Sequence, residues 1–364
     1  MPVETIAHVL AFAAGVAVVA RTLLSAIKAF ILPRGARDAI VGFVFRELRR
    51  VFNLLAPKHL PYERRDRIFA YYAPIALAVL AVTWLLLVMF GFAAMYWGLG
   101  SRTVGDAIRL SGSSLLTLGF SVPSGGLETI LTFVEAISGL GLAALLVGYL
   151  PTMYSAFARR ELDVNLLEVR ADRPASAAAM LIRYHRLDRL GSLPDDWRRW
   201  EAWFAEVGES HTTLSALAFY RSAHPQHSWI VAAGAVLDAA ALSRSLVDVP
   251  ADVQADLALR AGYLCLRRIA DFFGIRYDPA PAPSAPTSVT REKFDAVAAE
   301  LEAAGLPLRA DRDTAFLDFS GWRVNYDRPL LALSRLVLAP EAPWNGWPER
   351  DQFGRFGPTP GDAG

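Results

Sequence analysis

Between residues 113 and 123 the chain reads Ser113-Ser114-Leu115-Leu116-Thr117-Leu118-Gly119-Phe120-Ser121-Val122-Pro123. A run of this kind offers chemistry through its backbone. A cation that sheds its water needs oxygens in its place, and the carbonyls of an extended loop supply them. Irregular backbone is tolerated at membrane depth only where protein or a water-filled cavity surrounds it. Glu135, a short distance on, is the other residue of interest, because an ionisable group inside an apolar segment is expensive and usually faces an interior or an aqueous path. Three placements stay open for it: bracing the loop from behind, facing the outer mouth, or lying near enough to the headgroups to stay wet.

Other chemistry-bearing residue types are scattered. Glu209, His211, His224 and His227 include a His-x-x-His at chelating spacing, but no cysteine or HExxH pattern accompanies them. Surface or helix-capping histidines are expected, and no metal centre. Asp195-Asp196 follows Pro194, where helix capping accounts for paired carboxylates better than acid–base catalysis. The single cysteine, Cys265, excludes an internal disulfide framework and reads as a core residue. Gly139-Leu140-Gly141-Leu142-Ala143-Ala144 matches a loose dinucleotide fingerprint, which is rejected because no strand precedes it. No Walker lysine motif or nucleophile elbow appears, and an enzyme is not expected.

The elements that must hold the loop are apolar helices. The 364 residues are 54% apolar and only 20% charged, a shift from soluble composition toward the membrane. A net charge of +1 gives no reason to expect a nucleic-acid partner. Thr5 to Leu32 reads as a first spanning helix, with Arg21 and Lys28 toward its C-terminal end, where long side chains can snorkel; a helix lying partly in the interface is the alternative. The acidic start gives no sign of a signal peptide, so this segment is expected to stay. Arg34 to Arg67 carries nine Arg or Lys against four acids, with Ile40, Phe43, Val44, Val51, Phe52 and Leu55 at helical spacing. That is a basic amphipathic helix on a membrane surface, and the positive-inside rule makes the surface cytoplasmic and the N-terminus external. Ile68 to Gly100 is uncharged throughout, the strongest spanning signal. Ser101 to Leu116 reads as a short helix and Leu127 to Ala158 as a third span.

Span, short helix, Thr117-Leu118-Gly119-Phe120 and span, in that order, resemble the two-transmembrane pore-loop channels of the potassium-channel superfamily. The resemblance covers about Ile68 to Arg160. It implies that Ser101–Leu116 is a re-entrant pore helix and that Thr117, Leu118, Gly119, Phe120 and Ser121 form the filter. Thr117 would offer its hydroxyl and carbonyl, and Leu118, Gly119 and Phe120 their carbonyls. Gly139 and Gly141 fall where the family's inner helix bends or packs closely, Gly141 at the hinge glycine. The implied cargo is monovalent cations, potassium foremost, with no other cofactor, and the implied assembly is a homotetramer in the bilayer. The chain departs from the pattern at Ser121, where the family has a second glycine, at Val122, where an acid is usual, and at Leu116. A glycine there permits positive φ, which serine adopts only at a cost. Weak selectivity is one consequence; the alternative function is a non-conducting sensor or scaffold on a channel-like frame.

From Glu161 onward the chain is polar and helical, without the alternating strands of nucleotide-binding regulatory domains. Helices are expected from Pro174 to Leu190 and over Trp197–Val207, Thr212–Ser222, His227–Leu246, Pro250–Phe273, Glu292–Ala304 and Thr314–Leu338. Trp200, Trp203 and Phe204 read as core or a docking surface, and Ser228–Leu242 as a buried helix despite Asp238. The expected whole is an all-α membrane protein of the inner or plasma membrane, with three transmembrane helices, a re-entrant pore helix and filter loop, and a helical cytoplasmic domain. Its divisions are 1–67, the pore domain 68–160, the helical domain 161–277, a Pro-rich linker 278–289, and C-terminal helices with a Pro-, Gly- and Trp-rich tail over 290–364. The sequence names no regulator for the cytoplasmic part.

Overall fold

The computed structural model describes residues 2–30, 32, 38–100 and 102–341. Arg34 and Arg37 of the basic stretch, Ser101, and the tail from 342 onward lie outside the described residues. Regular structure is helical, and among the described residues the one strand-like feature is an isolated antiparallel bridge between Val247 and Leu308. Two compact units divide the chain: Met1–Ala158 with Ser210–Arg221, and Arg159–Glu209 with Ser222–Gly364.

The first unit begins with α1 (Pro2–Phe30), α2 (Ala39–Leu55), α3 (Tyr62–Ala70), α4 (Tyr72–Gly98) and α5 (Val104–Leu115), followed by the start of α6 (Gly126–Ala171). Three stretches are long and apolar enough to cross a membrane: Val3–Phe30, Tyr62–Gly98 and Gly126–Ala171. Small residues set the closeness of α1 and α4. A methyl group added at Gly15 would lie 2.4 Å from the Gly91 carbonyl oxygen, and one at Gly98 would lie 2.7 Å from that of His8. Between helices in lipid, such close van der Waals contact replaces the hydrophobic drive available in water. Pro74 sits in the first turn of α4, where its missing N–H costs nothing.

Asp38 ties α1 to α2. Its carboxylate caps α2 by accepting the N–H groups of Ile40 and Val41, and takes the Ser25 hydroxyl at 2.6 Å and Arg21 at 2.8 Å. Burial opposes its ionisation, but these four donors together hold the carboxyl below the usual carboxylate range. The charge of Arg21, placed in the first apolar segment, is thus answered within the protein. Leu80, Trp84, Val88 and Phe92 of α4 share a core with Leu110 and Leu115 of α5 and with Leu131 and Leu142 of α6.

Helix α6 runs 46 residues, past the expected end at Ala158 and through Arg159-Arg160. At about 1.5 Å per residue it extends roughly 69 Å, twice the hydrocarbon thickness of a bilayer. Charge ended the apolar pattern there but not the helix, because Arg, Glu and Leu are all good helix formers.

The second unit holds the end of α6, α7 (Ala177–Arg186), most of α8 (Leu193–Thr213), α9 (Trp229–Ser245), α10 (Val253–Phe273), α11 (Arg291–Ala303), α12 (Arg312–Arg323) and α13 (Asp327–Val337). Nearly every residue of α9 is buried, and Trp200, Trp203 and Phe204 of α8 are core residues. Asp238 is kept inside α9 by Arg323, whose Nη1 lies 2.5 and 2.6 Å from its two oxygens, and by the Tyr326 hydroxyl at 2.8 Å. Arg323 also donates Nε to Asp327 at 2.8 Å, so the buried guanidinium has a carboxylate on either side.

Several local expectations change. Asp195 and Asp196 are not caps, since α8 starts at Leu193 and places them in its first turn, where acids favour the helix dipole. The helix expected over Thr212–Ser222 is the end of α8 and a 3-10 turn, Ser215–Phe219. Thr314–Leu338 is two helices. Pro329 has no N–H to continue the first, and the Asn325 side-chain amide donates to the Gly321 and Trp322 carbonyls at the break. The Pro-rich 278–289 stretch lies within the second unit, and its Ser288 is buried against Asp327, N–H to carboxylate at 3.0 Å.

Candidate functional site

Thr103 caps α5 by accepting the Asp106 N–H, while its own hydroxyl donates to the Asp106 carboxylate at 2.7 Å. The helix ends after Leu115, and the chain then turns back on its last turn. Leu118 and Gly119 both aim their N–H groups at the Ser113 carbonyl, at 2.8 and 3.4 Å, and the Ser121 N–H reaches the Ser113 hydroxyl at 3.1 Å. Positive φ at Thr117 (+56°) and Gly119 (+72°) makes this possible. For glycine that conformation is free, whereas for a β-branched threonine it is strained. Strain of this sort collects at functional sites.

The N–H bonds fix where the carbonyls go. In a trans peptide, C=O and N–H point opposite ways. The carbonyls of Thr117, Leu118 and Phe120 therefore turn away from Ser113, and residues 116–120 are all exposed. Ser121 is not among the residues with positive φ, so the cost expected for serine in a glycine position does not arise. It falls on Thr117 instead.

Behind the loop, Ser113, Ser111 and Glu135 are buried. Glu135 accepts the Tyr96 hydroxyl at 2.8 Å and the Ser111 hydroxyl at 2.5 Å, joining α4, α5 and α6. Glu135 is thus buried where the three helices meet. Ser114 adds a bond to the Thr132 carbonyl at 2.8 Å. Gly139 lets the two helices close, since a methyl group there would lie 2.3 Å from the Leu115 carbonyl oxygen. Gly141 meets nothing within 4 Å and is exposed. The helix continues unbroken through both.

At the far end of the loop, Arg102 forks onto Glu128, with Nε 3.0 Å from one carboxylate oxygen and Nη2 2.9 Å from the other. The same Nη2 donates to the Val122 carbonyl at 2.8 Å, and Glu128 accepts the Ser124 N–H at 2.7 Å. Arg102, Tyr96, Ser111, Ser113, Ser114 and Glu128 were not singled out by sequence reasoning as site residues. The three serines in the last turns of a short helix between two apolar segments were the available signal.

His211 is buried in the first unit, whereas Glu209, His224 and His227 belong to the second. The His224 and His227 rings lie 5.2 Å apart, and His227 sits 3.0 Å from Glu168. Among the described residues, no group of three or more His, Cys, Asp or Glu could hold a metal ion. Cys265 is buried in the core of the second unit, and burial pushes its thiol up to about 12. Comparison of the chain with family models, curated proteins and solved structures gives no match, so a functional reading rests on its own geometry.

Proposed function

We propose that the chain is one subunit of a pore-loop cation channel, a homotetramer whose ion path is lined by the backbone of Thr117 to Ser121. The observation that carries this reading is the anchoring of three N–H groups on Ser113, which leaves the carbonyls of Thr117, Leu118 and Phe120 directed away from the helix behind them. Carbonyl oxygens presented in series suit a dehydrated monovalent cation, potassium first. In this reading α5 is the re-entrant pore helix, its C-terminal carbonyls favouring a cation at the loop. The basic α2 and α3 lie on the cytoplasmic side, the N-terminus is external, and the second unit is the cytoplasmic domain.

One loop cannot enclose an ion. Leu118, Phe120 and Val122 are 60%, 61% and 76% exposed, and Ile130, Phe133, Ile137 and Leu140 of α6 are likewise exposed. Apolar side chains around such a loop call for neighbours of the same kind. Native mass spectrometry of the purified protein should give a tetramer; a monomer at all concentrations would remove the reading. A second reading, a non-conducting sensor or scaffold on the same frame, is favoured by one observation, the engagement of the Val122 carbonyl by Arg102.

A further inference from the structure

Arg102 precedes α5, and Glu128 lies in the first turn of α6, so their ion pair joins the two chain segments that flank the loop. Both side chains are withdrawn from solvent, 13% and 4% exposed. A forked guanidinium–carboxylate pair is among the stronger polar contacts, and burial spares it from screening. Its second task is less usual. The nitrogen that completes the fork also donates to the Val122 carbonyl at 2.8 Å and to the Ser124 hydroxyl at 2.8 Å, so its two N–H groups are shared among three acceptors. The Val122 oxygen is thereby committed to the protein, whereas the Thr117, Leu118 and Phe120 oxygens face away from their anchor.

We infer that Arg102 is a positioning residue that ends the ion-coordinating stretch at Ser121 by withdrawing the Val122 carbonyl, and that Glu128 cancels the charge Arg102 brings to that end of the path. This rests on the channel reading above. A bare guanidinium beside the path would repel the cations it is meant to pass. Glu128 answers that charge and, through the Ser124 N–H, fixes the next peptide as well. The two residues therefore have separable roles, one in geometry and one in charge.

The test uses full-length protein in liposomes, with hydrogen exchange followed on the same preparations. Arg102→Gln frees the Val122 carbonyl and loosens that end of the path, so the potassium-over-sodium permeability ratio should fall about tenfold or more, the size of one lost bond to a charged donor. Exchange across residues 121–124 should quicken in the same variant. Glu128→Gln keeps the Val122 carbonyl held but leaves Arg102 uncancelled. Its ratio should stay as in the wild type, while its cation flux falls, and raised salt should restore little of that flux because the charge is buried. If Arg102→Gln does not assemble, Arg102→Lys, which keeps the charge but loses the fork, should lower the ratio.

An Arg102→Gln protein with unchanged ratio and unchanged exchange overturns the inference. So does a Glu128→Gln protein whose ratio shifts as far as that of Arg102→Gln, because the pair would then be a structural brace alone. A wild type that passes no cation overturns the channel reading and, with it, the ion-path role. In that case quickened exchange in Arg102→Gln still upholds the clamp on the loop, and unchanged exchange removes that too.

Discussion

Ser113 concentrates more of the loop's geometry than any residue in the Thr-x-Gly-Phe stretch itself, because its carbonyl and its hydroxyl together receive three N–H groups. Ser113→Ala keeps the carbonyl and loses only the hydroxyl. The expected outcome is a folded protein with about 1 kcal/mol less support at Ser121, read as quicker hydrogen exchange at that amide with Leu118 and Gly119 little changed. Gly119→Ala acts differently, since an L residue at φ +72° costs roughly 1–2 kcal/mol wherever there is room for the methyl. Thermal unfolding should register that loss although nothing lies within 4 Å of the added carbon. The loop was legible in the sequence because its composition and its place between two apolar segments are both local features. The anchor was not, because a serine near a helix end has the same letter whether it faces lipid or gathers a loop. The φ values moved the expected strain from Ser121 to Thr117 for a related reason: backbone angles are set by which N–H groups find partners, and partners are long-range.

At the scale of elements, the helices of the first unit were readable from apolar length and their contacts were not. Gly139 and Gly141 looked alike in sequence, two glycines in one apolar helix. Only Gly139 lies against another backbone, that of Leu115 at the end of α5. Gly139→Val should force α5 and α6 apart and lower the unfolding temperature by several degrees, as overpacking costs typically 1–3 kcal/mol. Gly141→Val should unfold within a degree or two of the wild type, so any effect it has on flux would report bending and not packing. Asp38 gives a pH prediction at the joint between α1 and α2. Its carboxyl is held below the ordinary value, so the stability it supplies is present above the unfolded value of about 3.9 and is lost as pH falls through the folded one. Asp38→Asn should unfold earlier than the wild type near neutrality, and the gap should narrow as the solution is acidified through that range. In the second unit, the break at Val324–Tyr326 and the partners that hold Asp238 inside a helix expected to be buried both escaped the periodic pattern. The partner of Asp238, Arg323, is far along the chain, and periodicity sees only neighbours.

For the whole molecule, an all-helical chain with three membrane-length apolar stretches is compatible with a membrane protein. The channel reading adds that four copies bring their loops to one axis and that the carbonyls turned away from Ser113 face it. The deciding measurement is cation flux from liposomes holding the purified protein, comparing potassium, sodium and chloride, with Gly119→Asp alongside. Potassium should pass, chloride should not, and Gly119→Asp should abolish the flux while remaining folded and tetrameric. Absence of cation flux across a range of voltage, pH and calcium, or flux that is indifferent to Gly119→Asp, would contradict the channel reading.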